Sequence, residues 1–356
     1  SLYTMLMLRQ LWQVPRIREH YRRLPTRGEA ANGPLDSGVL QFGSFFFRRS
    51  DMLGAGGTAR VYKGMYAGKL VAIKEIAATN MLPHGRAEAA LLSNLRHPYV
   101  LAFYGCCVHE RHLYLVTELC DMTLKDLLAR RERTSQRLSL EPALSLAMQI
   151  SEGLAYLHES GVVHRDLSAS NIFLCFDQPS GANHPSGTVV AKIGDFGLSR
   201  RTAEQTSMTA LIGTIQYMAP EMLTSASAGR VEYSSAVDVF SFGIILWQLV
   251  TCEQPYAATL ATHNRFQLLQ RIARDGLRPE VPAHAPPSLA TLMGECWAEA
   301  EHERPPSSDL VRRLRLCYYT EFGTEWRLSR DASSLSPGSG PPQLGAGVVR
   351  RDSFPG

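Results

Sequence analysis

No apolar stretch of this sequence reaches the roughly 20 residues that a membrane-spanning helix takes. The longest, Val239 to Val250, contains Ser241 and Gln248 and reads as a buried helix. No Cys-x-x-Cys pair occurs, and the cysteines at 106, 107, 120, 175, 252, 296 and 317 are odd in number, so neither a zinc site nor a disulfide framework is expected. They read as buried thiols in a reducing compartment, which places the chain in the cytoplasm. No lysine and arginine block alternates with aromatics, and a net charge of +4 is too small to call for nucleic acid as a partner. No internal repeat is found. The 356 residues, 45% of them hydrophobic, suffice for a sizeable core in one large or two modest domains.

The chain opens with Leu2-Tyr3-Thr4-Met5-Leu6-Met7-Leu8, followed by Arg9, Arg16, Arg18, Arg22 and Arg23 with little acidic relief. Two readings fit these residues: a short amphipathic helix packed on the domain, or the basic cytoplasmic flank of a truncated membrane span. Membrane contact is expected only in the second case, and a start without an initiator Met is compatible with a fragment. Arg27 to Gly38 has linker composition, and a folded domain is expected to begin near Phe42.

Strand character follows at Phe45 to Leu53, Arg60 to Tyr66 and Leu70 to Ile76, with a tight turn at Ala67-Gly68-Lys69. Gly85 to Leu95 has helical spacing, with Ala87, Leu91, Leu92 and Leu95 on one side, and Val100 to Phe103 and Leu113 to Thr117 return to strand patterning. After Leu119 the pattern turns helical. Leu140 to His158 carries Leu146, Ala147, Ile150, Leu154 and Leu157 at helical intervals, with Pro142 tolerated in the first turn. Later helices are expected at Ala236 to Thr251, Arg265 to Arg274, Ser288 to Ala298 and Ser307 to Leu316. Ser329 to Gly356 is dense in Ser, Gly and Pro and is expected to be disordered. The expected partition is a flank and linker over 1–41, a domain over 42–316 with lobes 42–119 and 120–316, and a tail over 317–356.

Three constellations carry chemistry. Gly54-Ala55-Gly56-Gly57-Thr58-Ala59-Arg60-Val61 lies between two strands, where glycines let backbone amides approach phosphates. A dinucleotide-binding or Walker A loop would open a helix, whereas the residues after this loop alternate as a strand. Lys74, in Val71-Ala72-Ile73-Lys74, puts an ammonium on a strand suited to burial and needs a partner. Glu88, four residues before Leu92 and so on the apolar side of its helix, is expected to supply it. In Val163-His164-Arg165-Asp166-Leu167-Ser168-Ala169-Ser170-Asn171 and Asp195-Phe196-Gly197, two carboxylates and an amide recur downstream. One carboxylate can take the proton of an attacking hydroxyl, while the other and the amide oxygen are hard ligands suited to Mg²⁺ bridging nucleotide phosphates.

The ordered set of glycine-rich loop, Val-Ala-Ile-Lys, His-Arg-Asp-Leu-x-x-x-Asn and Asp-Phe-Gly resembles the protein kinases. The resemblance covers Phe42 to Leu316. It is closest to the tyrosine kinase-like group in Leu115 to Cys120, Val239-Phe240-Ser241-Phe242-Gly243, Asp275-Gly276-Leu277-Arg278-Pro279 and Cys296-Trp297. It implies an α+β, two-lobed fold: a small antiparallel sheet with one helix, and a larger helical lobe. The implied cofactors are ATP and Mg²⁺, with Mn²⁺ possible, and the implied partners are signalling proteins with Ser/Thr acceptors.

By resemblance, Asp166 is the base, Asn171 and Asp195 hold metal, and Lys74, positioned by Glu88, contacts the phosphates under Gly54, Ala55, Gly56 and Gly57. Thr117 is the gatekeeper, the backbone of Glu118 and Cys120 meets adenine, and Val61, Ala72 and Phe173 sandwich the ring. Thr214, within Gly213 to Met218, faces Asp166 in a loop of the serine/threonine type. Ser199, Thr202, Thr206, Ser207 and Thr209 are candidate phosphosites able to pair with Arg165. Glu221 with Arg304 and Asp238 with the catalytic-loop backbone are structural pairs, and Cys175 to Thr188 is a surface insertion. Ala59 departs from the third glycine of the loop pattern. Ser168 and Ser170 depart from the catalytic-loop Lys or Arg, a loss of the kind that costs ~10²–10³ in rate, for which Arg200 or Arg201 is a candidate substitute. An ATP-binding scaffold without transfer, and a dual-specificity or tyrosine acceptor, remain as alternatives. So does the cytoplasmic part of a membrane-anchored receptor-like kinase.

Overall fold

Period-two alternation in the first part of the chain builds β1 (Phe45–Ala55), β2 (Ala59–Tyr66), β3 (Lys69–Ala77), β4 (Phe103–His109) and β5 (His112–Glu118). These pair antiparallel in the order β1-β2-β3-β5-β4. The computed structural model describes residues 39–56, 59–77, 92–176, 189–195, 215–224 and 233–326. The basic flank, Gly57, Glu88 with most of its helix, the insertion after Phe176, Phe196-Gly197, the candidate phosphosites, Arg200, Arg201, Thr214 and the tail after 326 lie outside the described residues.

The β2–β3 turn at Ala67-Gly68 has both residues at positive φ, 46° and 74°, the geometry of a two-residue hairpin turn whose twist matches its strands. The strand expected at Val100 to Phe103 is corrected. Val100 forms only an isolated bridge to Ile193, and pairing proper starts at Phe103 with a register shift before Gly105. The folded part also begins earlier than Phe42, since Val39 bridges Cys106 and Leu40 is buried.

The outer face of the sheet packs Leu40, Phe45, Val71, Ile73, Cys107, Tyr114 and Val116 into one cluster. Within it, Glu75 is 3% exposed and accepts hydrogen bonds from Arg49, from Tyr62 Oη at 3.1 Å and from Tyr114 Oη at 3.0 Å. Burial pushes this carboxyl up, but its three donors outweigh that and hold it below the usual carboxylate range.

A second antiparallel sheet, β6 (Met122–Thr123), β7 (Ile172–Phe176) and β8 (Val189–Ile193), begins the other part. Around it lie α1 (Leu124–Arg133), α2 (Leu140–Glu159), α3 (Pro220–Thr224), α4 (Ala236–Thr251), α5 (Ala257–Thr262), α6 (Arg265–Arg274), α7 (Pro287–Cys296) and α8 (Ser307–Phe322). The main core runs from Ile76, Phe103 and Leu115 of the first sheet through α2 to α4, α7 and α8. The two-lobed α+β organisation expected from the sequence is the one observed.

From Val237 to Thr251, α4 is buried on every side, which is why the longest apolar run lies here. Its polar residues are satisfied: Ser241 Oγ donates to Tyr217 O at 2.7 Å and Gln248 Oε1 accepts from Tyr217 Oη at 2.7 Å. The last helix continues to Phe322, past the expected tail boundary at 317, because Cys317 and Tyr318 extend the buried row of Leu310 and Leu314.

The expectation of seven free thiols is also corrected. Cys106, Cys107, Cys252, Cys296 and Cys317 are free and buried, but Cys120 and Cys175 are paired as a disulfide with Cα atoms 4.8 Å apart. Residues 55 apart in sequence meet because β6 pairs with β7, a contact that cysteine spacing does not encode.

Because Glu75 titrates low in the folded state, its contribution is present above the unfolded carboxylate value and is lost as pH falls through the folded one. Glu75→Gln is expected to cost ~2 kcal/mol at neutral pH and to flatten the acid limb of the stability profile, read by urea unfolding between neutral and acid pH.

Candidate active site

Register places the site's residues on the opposite face of the same sheet. Val61 pairs with Lys74 and Lys74 with Leu115, while Ala72 pairs with Thr117, so all five lie on the face turned away from Glu75. Val61, Ala72, Lys74 and Thr117 are half-buried, as residues lining a cleft would be. Lys74 Nζ meets Asp195 Oδ1 at 2.5 Å, joining the two sheets. The described partner of Lys74 is thus Asp195; whether Glu88 also reaches it falls outside the described residues.

A closed circuit of hydrogen bonds ties the catalytic run to the segment before Asp195. Asp166 N donates to His164 Nδ1 at 3.2 Å, which puts the ring proton on Nε2, and Nε2 donates to Gly194 O at 3.1 Å. Gly194 N donates to Asn171 O at 2.9 Å, and Asn171 Nδ2 returns to Asp166 O at 2.7 Å. Gly194 itself is required sterically, since a Cβ there would lie 2.7 Å from Leu101 Cδ2 and 3.0 Å from Phe173 Cε2. Arg165 and Asp195 both sit at positive φ, 63° and 60°, a conformation costing on the order of 1–3 kcal/mol that surrounding bonds must hold.

Asp238 does much of that holding. Its carboxylate, 0% exposed, accepts from Arg165 N at 2.7 Å on Oδ1 and from His164 N at 2.7 Å on Oδ2. Sequence reading expected this anchor but missed its third donor, His158 at the end of α2. His158 Nε2 lies 2.9 Å from Asp238 Oδ2, while Nδ1 lies 2.9 Å from Ser307 Oγ. The only available signal was that His158 follows Leu154 by four residues and so shares the buried face of the helix. The Glu221–Arg304 pair is as expected, bidentate at 2.6 and 2.9 Å, with Arg304 also donating to Ala298 O, Ala236 O and Glu299 O.

At the hinge, Glu118 N is committed to Ala102 O at 2.8 Å, while its carbonyl accepts from Thr117 Oγ1 at 3.3 Å and keeps a second lone pair. The Glu118 carboxylate, which sequence reading gave no role, meets Lys192 Nζ at 3.0 Å and links the hinge to β8. Phe173 on β7 lies beside Gly194, and Cys120 ends the hinge next to the same strand. Between β1 and β2, Gly56 N donates to Ala59 O at 2.8 Å. A Cβ on Gly54 would meet nothing within 4 Å, and one on Gly56 only Ala59 O at 3.9 Å. Among the described residues, packing therefore does not demand these glycines.

The donor set suits a hard cation shared with phosphates. Asn171 Nδ2 is spent on Asp166 O, so Oδ1 is the atom that could hold such a cation, and Asp195 Oδ1 is held by Lys74, so Oδ2 could join it. Among the described residues no three His, Cys, Asp or Glu side chains form a metal cage, so such a cation needs ligand oxygens from elsewhere, as Mg²⁺ commonly takes from nucleotides.

The family model described as protein tyrosine and serine/threonine kinase matches residues 47–314. The serine/threonine/tyrosine-protein kinase HT1 of Arabidopsis thaliana is 32% identical over 295 residues, 80% of this chain and 70% of that protein. The dual specificity protein kinase shkB of Dictyostelium discoideum is 32% identical over 75% of this chain, and human mitogen-activated protein kinase kinase kinase 11 is 33% identical over 79%. The chain spans only 39% and 32% of the lengths of these last two.

Removing the third donor of Asp238 with His158→Ala is expected to lower unfolding free energy by about 1–3 kcal/mol. His158→Gln, whose amide nitrogen can stand in for Nε2, should recover part of the loss in the same denaturation measurement.

Proposed function

The chain belongs to the protein kinase family, in its tyrosine kinase-like group, and from that premise we propose that it transfers the γ-phosphoryl group of ATP to serine or threonine hydroxyls of signalling proteins. The observation that carries this reading is the Lys74–Asp195 pair, which sets a phosphate-binding cation and a metal-binding carboxylate against each other at one end of the hydrogen-bonded circuit through Asp166 and Asn171. Bound Mg²⁺ supplies charge neutralisation at the phosphates. Everything else falls to side chains and backbone of this chain.

Lys74 orients the α- and β-phosphates, the 54–57 loop covers them, and the Glu118 carbonyl and Cys120 backbone select adenine. Asp166 accepts the proton of the acceptor hydroxyl, its backbone held by His164 and Asn171. A cavity of about 350 Å³ lined by Ser170, Gln216, Tyr217, Lys125 and Leu268 adjoins the catalytic loop and offers a place for the acceptor peptide. Relatives named as serine/threonine, dual specificity and serine/threonine/tyrosine kinases support a serine or threonine acceptor and leave tyrosine as the alternative.

One observation favours a second reading, an ATP-binding scaffold without transfer. The catalytic loop carries no cation at 168 or 170, and Ser168, at 4% exposure, leaves little room for one. Ser170 is exposed, so the missing charge is better tested there.

Incubated with Mg²⁺, labelled ATP and a generic protein acceptor, the protein is expected to incorporate phosphate into serine and threonine, and Asp166→Asn to lose it by ~10² or more. Equal incorporation by both proteins would falsify the transfer reading, and label recovered chiefly on tyrosine would replace the acceptor class. Ser170→Arg is expected to raise turnover if the absent cation limits the rate. An unchanged rate would mean that another group already supplies that charge.

A further inference from the structure

We propose that Cys120 and Cys175 form a reversible redox site that staples the hinge to the floor of the nucleotide cleft. The proposal rests on the reading of Glu118 to Cys120 as the edge that meets adenine. Cys120 ends that edge, and Cys175 lies on β7 two residues beyond Phe173, on the same face of the strand.

The backbone is already aligned for the link. Asp121 N donates to Leu174 O at 2.9 Å, Phe176 N donates to Asp121 Oδ2 at 2.7 Å, and Met122 pairs with Leu174. The Cα separation of 4.8 Å falls within the span a disulfide bridges without backbone movement. Accessibility sets this pair apart as well. The five free cysteines are all buried, whereas Cys120 and Cys175 are both partly exposed and within reach of a small oxidant.

The chemistry balances with a peroxide as oxidant. The thiolate of one cysteine attacks a peroxide oxygen, the O–O bond breaks, and one water leaves after protonation while the sulfur becomes a sulfenic acid. The second sulfur displaces the sulfenic oxygen as another water, giving the disulfide: two thiols and one hydrogen peroxide yield one disulfide and two waters. A dithiol returns both thiols by exchange. In the oxidised form the hinge cannot draw away from β7, so opening of the cleft to release nucleotide is restrained. In the reduced form non-covalent contacts alone resist that motion: the β6–β7 ladder, the Asp121 hydrogen bonds and the Glu118–Lys192 pair.

The test uses tryptic digestion of the whole chain, since residues 112–125 and 166–192 form two peptides that each hold one cysteine. After hydrogen peroxide, alkylation and digestion without reductant, mass spectrometry is expected to find these peptides joined; after dithiothreitol, separate and each alkylated. Two separate alkylated peptides after peroxide, or a link that dithiothreitol leaves intact, would overturn the redox site. Release of a fluorescent ADP is expected to slow by roughly threefold or more on oxidation, and Cys175→Ser is expected to abolish that difference. Equal release rates in the two states, or a difference that survives Cys175→Ser, would overturn the staple's effect on the cleft. Absence of ADP binding in both states would instead sink the nucleotide reading, while the peptide map would still decide the redox site.

Discussion

Asp238 is the constraint on which the active region depends. A carboxylate with no exposure to water must be satisfied by donors from the protein, and the donors here are the backbone amides of His164 and Arg165 and the ring of His158. Those bonds hold Arg165 at a φ of 63°, which a free loop would abandon. With that residue fixed, His164 turns its ring between Asp166 and Gly194, and the circuit through Asn171 closes. The position of the proposed base is thus set from a helix buried on every side, so the loop inherits the rigidity of the core.

The N-terminal sheet divides its labour between faces. Neighbours on one strand, Lys74 and Glu75, point opposite ways, and each charge meets its own partners. Glu75 is held by Arg49, Tyr62 and Tyr114 on the outer side, while Lys74 reaches Asp195 on the cleft side. A one-residue slip of β3 would exchange them, stranding a cation in the aromatic cluster and a carboxylate on the cleft face beside Asp195. The charged pair on the outer face is therefore a register lock for the functional face.

Much of this was legible in the chain. The helix at Arg265–Arg274 follows from 3.6-residue periodicity, that at Ala236–Thr251 from the length of its apolar run, and the first three strands from alternation bounded by glycine. The misses share a cause. In α1 only Leu124 and Leu128 are buried, so its periodicity is faint and the Thr123–Asp126 capping box was its only sharp signal. The β4–β5 turn uses Glu110 and Arg111 at φ 44° and 61°, with no glycine or asparagine to announce it. His158, Lys192 and the Cys120–Cys175 link draw their roles from partners far away in sequence.

Residue types and spacing, through the motifs they form, pointed by themselves to the family and the two-part architecture and singled out Lys74, Asp166, Asn171 and Asp195 as candidates, because motif and periodicity are local properties of a chain. Only tertiary structure decided which charge meets which. Lys74 lies against Asp195, Glu118 against Lys192, Asp238 against His158 and Cys120 against Cys175. Such pairings arise when separately specified strands and helices pack, and electrostatic and covalent partners are chosen by distance in space, to which order along the chain is blind.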